Sequence, residues 1–196
     1  MSTTPNPTIV FLSCGGTIEK IYLPDSGKLS FDHSRMSEWA GLCRIAQPWR
    51  AETVMLIDSL EMTEADREQV ARRVAETPES HVVILHGTDT MVQTANRVAH
   101  RRQNHQTVVF TGAMIPISQP DSDGLFNLGL ATAAVQLLDP GVYIAMSGQV
   151  FAADQVQKNS EKGVFESLSP DQESREHPDE NGTLRITKRK MTGFFR

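Results

Sequence analysis

The sequence predicts a single α/β domain built on a doubly wound, mainly parallel sheet. Strand-like and helix-like segments alternate along the chain, which indicates βαβ units. Residues 82–85 (VVIL) and 108–110 (VVF) are continuous apolar runs, typical of parallel strands buried on both faces. A length of 196 residues suits one domain. With right-handed crossovers, these features favour a three-layer sandwich of the Rossmann or flavodoxin type.

Each predicted element follows from a local pattern. Thr63 is a good cap for the clearest helix, because acidic residues follow in its first turn and Val70 and Val74 form an apolar stripe. Pro78 then ends that helix. The predicted strands are 8–13, 52–57, 81–86, 107–111 and 142–147. The predicted helices are 34–46, 63–77, 91–102 and 126–138.

The chain divides into a long α/β part and a short charged part. We assign residues 1–165 to the α/β domain and residues 166–196 to a charged, partly disordered C-terminal tail. Inside the domain, we interpret residues 19–33 as a long polar connection. Connections of this length are usually functional loops or disordered segments.

Composition excludes several classes of function. A net charge of −5 is too mild to indicate a nucleic-acid partner. The two cysteines form no disulfide framework and no metal motif, and Cys14 beside a glycine is better interpreted as a small buried residue than as a reactive thiol. The N-terminus lacks a signal-peptide pattern, and no apolar run reaches the roughly 18–20 residues of a membrane span. We therefore expect a cytoplasmic protein without metal, cofactor or membrane partner.

Two short threonine-containing segments each follow a predicted strand. The first segment, residues 13–19 (SCGGTIE), contains Thr17, and the second, residues 86–90 (HGTDT), contains Thr88 and Asp89. Because the carboxyl ends of parallel strands share one edge, where ligands bind, we expect the two segments to meet there. Two hydroxyls, one carboxylate and glycine-exposed amides indicate acyl chemistry on a small amide. For either segment alone, a simple strand-to-loop turn remains the alternative.

Each further candidate has a functional and a structural interpretation. Lys158 could act as the base for a threonine hydroxyl, or it could be a solvated lysine. Asp89 could pair with a substrate ammonium group or cap the next helix, and His86 at a strand end is more often packed than catalytic. Ser59 could bind a carboxylate or stabilise a turn, and Tyr22 could close over a substrate or be an ordinary surface residue.

Several segments, in order, resemble the bacterial-type L-asparaginases of the asparaginase/glutaminase family. Residues 14–18 (CGGTI) are similar to the family's TGGTI signature, with cysteine in place of the first threonine, and residues 86–90 match its HGTDT signature without change. The similar supporting segments are 58–63 (DSLEMT), 112–116 (GAMIP), 122–128 (SDGLFNL) and 156–158 (VQK). The resemblance runs from about residue 8 to about residue 165.

The resemblance implies hydrolysis of L-asparagine to L-aspartate and ammonia, without a cofactor. Thr17 would be the nucleophile that attacks the side-chain amide carbon and forms an acyl-enzyme. Thr88 and Lys158, together with Asp89, would polarise the site and activate water. Tyr22 would be the tyrosine of the mobile loop, although it follows the nucleophile more closely than in many members.

The resemblance also implies a substrate-binding set. Ser59 would hold the α-carboxylate and Asp89 the α-ammonium group. Gly16 and Gly87 would contact the substrate, and backbone amides would form an oxyanion hole.

Long members of the family carry a second, C-terminal domain that supplies an acidic residue near the substrate amine. The present sequence resembles a short-chain branch without that domain, so we expect a carboxylate of the tail or of the first loop to replace the acid. We also expect a homodimer or homotetramer, because the family tends to assemble and closed symmetric dimers or tetramers are the usual outcome. Two alternatives remain: a glutaminase or other small-amide hydrolase, and a non-catalytic domain that binds aspartate or asparagine.

Overall fold

The computed structural model describes residues 7–168, and a six-stranded sheet forms its centre. The strands of this sheet are β1 (Ile9–Gly15), β4 (Trp49–Ile57), β5 (His81–Leu85), β6 (Thr107–Thr111), β7 (Gly141–Met146) and β8 (Gln149–Ala152). They lie in the order β4-β1-β5-β6-β7-β8. The first five are parallel, and β8 pairs antiparallel to β7 at one edge.

Helices cover both faces of the sheet. They are α1 (Met36–Leu42), α2 (Glu64–Glu76), α3 (Met91–Ala99) and α4 (Gly124–Leu137). One core cluster packs α2 and α3 on the sheet through residues such as Val70 and Val98, and the other packs α1 and α4 through Trp39 and Leu128. The three-layer α/β domain predicted from the alternation of segments is therefore confirmed.

The strand order determines where a ligand can bind. Numbered along the chain, the five parallel strands lie in the order 2-1-3-4-5, which is the flavodoxin-like arrangement. Connections leave β1 and β5 in opposite directions, so a crevice opens between the carboxyl ends of these two strands. Both threonine segments begin there, directly after β1 and β5.

The best-predicted helix is α2. Its N-cap is Thr63, whose hydroxyl accepts the Asp66 backbone N–H at 3.3 Å, while the Asp66 carboxylate accepts the Thr63 backbone N–H at 2.8 Å. This reciprocal capping box is worth about 1 kcal/mol. The predicted helices 34–46 and 91–102 are shorter in the structure, since α1 ends at Leu42 and α3 at Ala99.

Three short antiparallel elements were not predicted. The polar connection 19–33 contains the hairpin β2 (Ile21–Leu23) and β3 (Lys28–Ser30). The edge strand β8 and the hairpin of β9 (Val156–Asn159) with β10 (Val164–Ser167) follow the parallel strands. Strands of three or four residues are too short for a distinctive alternation, so pairing rather than sequence pattern defines them.

The predicted domain boundary at residue 165 falls inside β10, which continues to Ser167. The rest of the predicted tail, residues 169–196, lies outside the described residues. Within residues 7–168, no helix is long and apolar enough to cross a membrane.

Candidate active site

The first threonine segment forms a tight turn at the end of β1. Gly16 has a φ of +77°, and its N–H donates to the carbonyl of Ile57 in β4 at 2.9 Å. A 3₁₀ turn over Thr17–Glu19 follows directly. The half-buried Thr17 thus stands just outside the strand, and its hydroxyl makes no hydrogen bond to any residue between 7 and 168.

Glycines allow three segments of the site to touch. A Cβ atom on Gly16 would lie 2.2 Å from the backbone nitrogen of Gly87, and a Cβ atom on Gly87 would lie 2.4 Å from the Ser59 Oγ. Real Cβ atoms cannot approach other atoms this closely, so both positions require glycine. The turn after β1, the segment after β5 and the residues after β4 therefore meet at one edge of the sheet.

The second threonine segment is held by a lysine from β9. Lys158 Nζ donates to Thr88 Oγ1 at 2.9 Å and to Asp89 Oδ1 at 2.6 Å. Thr88 is buried, and the Lys158 side chain is 13% exposed, whereas the Asp89 side chain is 39% exposed. A hydroxyl, an ammonium group and a carboxylate in direct contact form a proton-exchanging set beside the crevice.

Ser59 is fully buried directly after β4, and its Oγ has no hydrogen-bond partner among the described residues. A buried hydroxyl without a partner costs about 1–3 kcal/mol, which is a reason to seek a ligand for it. Its position against Gly87 turns this hydroxyl toward the shared edge. The hydroxyl can donate to a carboxylate that enters the crevice.

Comparisons with known proteins identify the family of the chain. The family model described as "Asparaginase, N-terminal" matches residues 8–177. The chain belongs to this family. Among curated relatives, it is 29% identical to the L-asparaginase of Thermococcus kodakarensis over 82% of this chain and 51% of that protein. It is 36% identical to L-asparaginase 1 of Escherichia coli K12 over 58% of this chain and 36% of that protein.

The solved structure of L-asparaginase I from Vibrio cholerae has the same fold, with a TM-score of 0.73 and 24% identity, covering 83% of this chain and 51% of that one. The sequence thus spans about half the length of the Thermococcus and Vibrio proteins it matches.

In this asparaginase-family chain, two predicted site residues do not act as their structural alternatives suggested. Asp89 does not cap α3, since the N-cap is Thr90, and it pairs with Lys158 instead. Lys158 is not a solvated lysine. Tyr22, by contrast, lies on β2, is 57% exposed, and its hydroxyl makes no hydrogen bond within residues 7–168. It matches its structural alternative of a surface residue, and its part in the site stays a prediction.

His86 and Cys14 are packed, as their structural interpretations predicted. His86 is fully buried, with Nδ1 2.7 Å from the carbonyl oxygen of Gly87, and burial lowers the pKa of its imidazole to about 4. Cys14 is also fully buried, and this burial, with the nearby Glu19 charge, raises the pKa of its thiol well above the usual range. Neither group is suited to a role as a reactive base or nucleophile at neutral pH.

Sequence reasoning missed the arginine that supports the second segment. The buried Arg67 in α2 donates to the Thr90 hydroxyl at 2.9 Å, and that hydroxyl donates to the carbonyl of Ser59 at 2.8 Å. A second guanidinium nitrogen donates to the carbonyl of Met62 at 3.1 Å. Arg67 thereby ties the residues after β4 to those after β5. A lone arginine in a capped helix resembles a solvated one, so no sequence signal indicated it.

The ion pair of two charged groups next to Ser59 was also missed. Lys20 Nζ lies 2.5 Å from Asp58 Oδ2. Burial acts to raise the pKa of the Asp58 carboxyl. The pKa nevertheless lies below its usual range, because Lys20 and Leu60 donate hydrogen bonds to the carboxylate and the charges of Lys20 and Lys158 stabilise it. Asp58 is therefore an anion adjacent to Ser59.

The family-like segment 122–128 supports the loop after β6. The Asp123 carboxylate accepts the backbone N–H groups of Met114 and Ile115 at 3.0 Å. Asn127 donates to the carbonyl of Gly112 at 3.0 Å and accepts the N–H of Ser147 at 2.9 Å. The segment thus positions backbone rather than contacting the threonines. Within residues 7–168, no group of His, Cys, Asp or Glu side chains is arranged to hold a metal ion.

Proposed function

We propose that this chain hydrolyses L-asparagine to L-aspartate and ammonia, with Thr17 as the nucleophile. The observation that carries the proposal is the contact of Lys158 with both Thr88 and Asp89 at the edge where the free Thr17 hydroxyl lies. Binding alone requires no such set of hydroxyl, ammonium and carboxylate groups. Family membership supports the same reaction, since the relatives described above are named L-asparaginases.

The reaction would proceed in two steps. In the first, Thr17 Oγ adds to the side-chain amide carbon, its proton passes to the departing nitrogen, the C–N bond breaks and ammonia leaves. In the second, a water activated by the Thr88–Lys158 pair attacks the resulting ester, and Thr17 recovers its proton as aspartate is released. The backbone N–H groups of the glycine-containing segments are suited to stabilise the oxyanion.

Substrate recognition would use the charged ends of the amino acid. The unpaired Ser59 hydroxyl would donate to the α-carboxylate, and Asp89, which is partly exposed, would accept the α-ammonium group. Gly16 and Gly87, whose close approach brings these segments together, would contact the substrate between them. These contacts favour a small α-amino acid amide.

The test is ammonia release from L-asparagine, L-glutamine and D-asparagine by the wild type and by Thr17→Ala. We expect turnover of L-asparagine that falls at least about 10³-fold in the variant, because no other hydroxyl occupies the nucleophile position. Calorimetry with L-aspartate should give similar affinity for both proteins.

The same assay distinguishes the alternatives. Preference for L-glutamine would make the chain a glutaminase, and binding of aspartate without any turnover would indicate a regulatory domain. A Thr17→Ala variant that retains wild-type turnover would refute the nucleophile assignment. The homodimer or homotetramer, the cytoplasmic location and a carboxylate of the tail or of the first loop near the substrate amine stay predictions, to be tested by light scattering, fractionation and mutagenesis.

A further inference from the structure

A carboxyl group that the proposed reaction does not use is buried directly behind the nucleophile. Glu19 is 1% exposed and ends the 3₁₀ turn that begins at Thr17. Its Oε2 accepts the backbone N–H of Gly15 at 3.2 Å, and its own N–H donates to the carbonyl of Gly16 at 3.1 Å. The side chain and the backbone of Glu19 therefore both make hydrogen bonds to the two glycines that precede Thr17.

The turn depends on this carboxylate for hydrogen bonding. The register between β1 and β4 shifts between Ser13 and Gly15, so the pairing of the two strands is irregular where the turn begins. The Glu19 side chain provides the acceptor for the Gly15 N–H at this irregular point. Without it, a buried N–H would have no partner, which costs about 1–3 kcal/mol and favours rearrangement of the turn.

Glu19 is in turn hydrogen-bonded to the segment that precedes α1. Its Oε1 accepts the hydroxyl of Ser34 at 2.5 Å, and Ser34 Oγ lies 2.7 Å from the Ser13 hydroxyl. The same Ser34 oxygen accepts the N–H of Met36 at the start of α1, at 3.4 Å. The position of Thr17 is thereby coupled to β1 and to α1 through one carboxylate.

The protonation of Glu19 can change near neutral pH. Burial raises the pKa of its carboxyl to about 6, although hydrogen bonds from Ser34, Gly15, Ser13 and the Arg35 backbone oppose the rise. The titratable neighbour is the neutral Cys14 thiol, and the Arg35 guanidinium is turned away toward Asp32 and Glu38. Protonation would replace a charge-assisted bond to Gly15 by a weaker one.

We propose that Glu19 is a positioning residue for Thr17, whose ionised carboxylate fixes the Gly15–Gly16 turn and thereby the direction of the nucleophile's hydroxyl. The inference rests on the proposed function, because Thr17 is the nucleophile only there. Glu19 does not touch the substrate. Its effect should therefore appear in kcat rather than in KM, since a displaced nucleophile weakens the transition state more than it weakens binding.

Two variants separate charge from hydrogen bonding. In Glu19→Gln, the amide oxygen can still accept the Gly15 N–H while the amide nitrogen donates to Ser34 Oγ, so the turn is kept and the titration is removed. In Glu19→Ala, both bonds are lost. Gln106→Ala is the matched control, since Gln106 is a fully buried polar residue that bonds backbone carbonyls at the other end of the sheet.

We expect Glu19→Ala to lose on the order of 10²-fold in kcat with KM within about threefold of wild type. Glu19→Gln has the hydrogen-bonding pattern of the protonated carboxyl, so its kcat should equal the low-pH plateau of the wild type, about fivefold below the wild-type kcat at pH 8, and the fall of kcat expected near pH 6 in the wild type should be absent. The folded fraction of Gln106→Ala should keep the wild-type kcat and pH profile.

Glu19→Ala with wild-type kcat, or Glu19→Gln with an unmoved acid limb, would overturn the inference. A measurement without substrate tests the role of Glu19 in the turn separately from the proposed function. The Gly15 amide resonance in ¹⁵N NMR should titrate near pH 6 in wild type and stay constant in Glu19→Gln. If wild type releases no ammonia but the Gly15 resonance titrates in this way, the proposed reaction is refuted and the hydrogen bond between the Glu19 carboxylate and the turn is supported. A Gly15 resonance that does not titrate would refute the role of the Glu19 carboxylate in the turn.

Discussion

The two threonine segments resemble each other in sequence and position but differ in what surrounds their hydroxyls. Thr17 follows a turn of two glycines, is half-buried and has no hydrogen-bond partner for its hydroxyl within residues 7–168. Thr88 is 4% exposed and is bound by Lys158. Each lies after a parallel strand, at the carboxyl edge of the same sheet.

One sheet edge can therefore hold two hydroxyls that are suited to different tasks. A free hydroxyl on a turn can move toward a substrate, whereas a hydroxyl held by a lysine and backed by a carboxylate is suited to relay a proton. The support also differs, because a buried carboxylate, Glu19, holds the first segment and a buried guanidinium, Arg67, holds the second. The following predictions test this contrast.

The largest effect is expected from removal of the lysine that distinguishes the second segment. Lys158→Met should lower kcat by about 10²–10⁴-fold, because Thr88 loses its proton-exchanging partner. Steady-state ammonia release would measure this. Lys162→Met is the matched control, since Lys162 follows in the same hairpin with a side chain that is 70% exposed. Equal losses in the two variants would contradict the assignment.

A second prediction concerns the close contact between the segments. Gly16→Ala should destabilise the domain by about 3–5 kcal/mol, because a Cβ atom would overlap the backbone of Gly87 and φ is +77°. Gly27→Ala isolates the backbone term, since Gly27 has a φ of +66° but no atom within 4 Å of its Cβ position. It should cost only about 1 kcal/mol. Urea unfolding of both variants checks the difference.

The two segments should also respond to pH with opposite sign. In the folded protein the pKa of His86 is lowered from 6.5 to about 4. The contribution of neutral His86 to the free energy of unfolding is therefore fully present above pH 6.5 and is lost as pH falls toward 4. The pKa of Glu19 is raised from 4.5 to about 6, so its contribution is full below 4.5 and is lost as pH rises through 6.

When pH falls from 7 to 5, the titration of His86 should therefore lower the free energy of unfolding by about 2 kcal/mol, and the titration of Glu19 should raise it by about 1 kcal/mol. Urea unfolding at both pH values, for wild type, His86→Asn and Glu19→Gln, separates the two contributions. If the stability difference between wild type and either variant did not change with pH, the buried group concerned would not titrate as described.

The smallest effect is expected at Ser59. Ser59→Ala should raise KM for L-asparagine about tenfold and leave the free energy of unfolding unchanged or slightly higher, because the buried hydroxyl has no hydrogen-bond partner within residues 7–168. Steady-state kinetics and urea unfolding measure the two quantities. A loss of stability with an unchanged KM would instead indicate a structural serine.

Much of the fold was predictable because it follows from local patterns. Continuous apolar runs predicted the buried strands β5 and β6, and the acidic first turn after Thr63 predicted the capped start of α2. The hairpins β2–β3 and β9–β10 were not predicted, since strands of three or four residues gain their stability from pairing with distant residues.

The fold class, the order of the threonine segments at the ends of β1 and β5, and the family resemblance all follow from the sequence. Which side chains meet depends on the tertiary structure. Lys158 is 69 residues from Asp89 in the chain, and Glu19 and Arg67 have charged side chains that local patterns assign to the surface. Their burial and pairing depend on how the strands are ordered in the sheet, and that order arises from the packing of the whole domain rather than from any short segment.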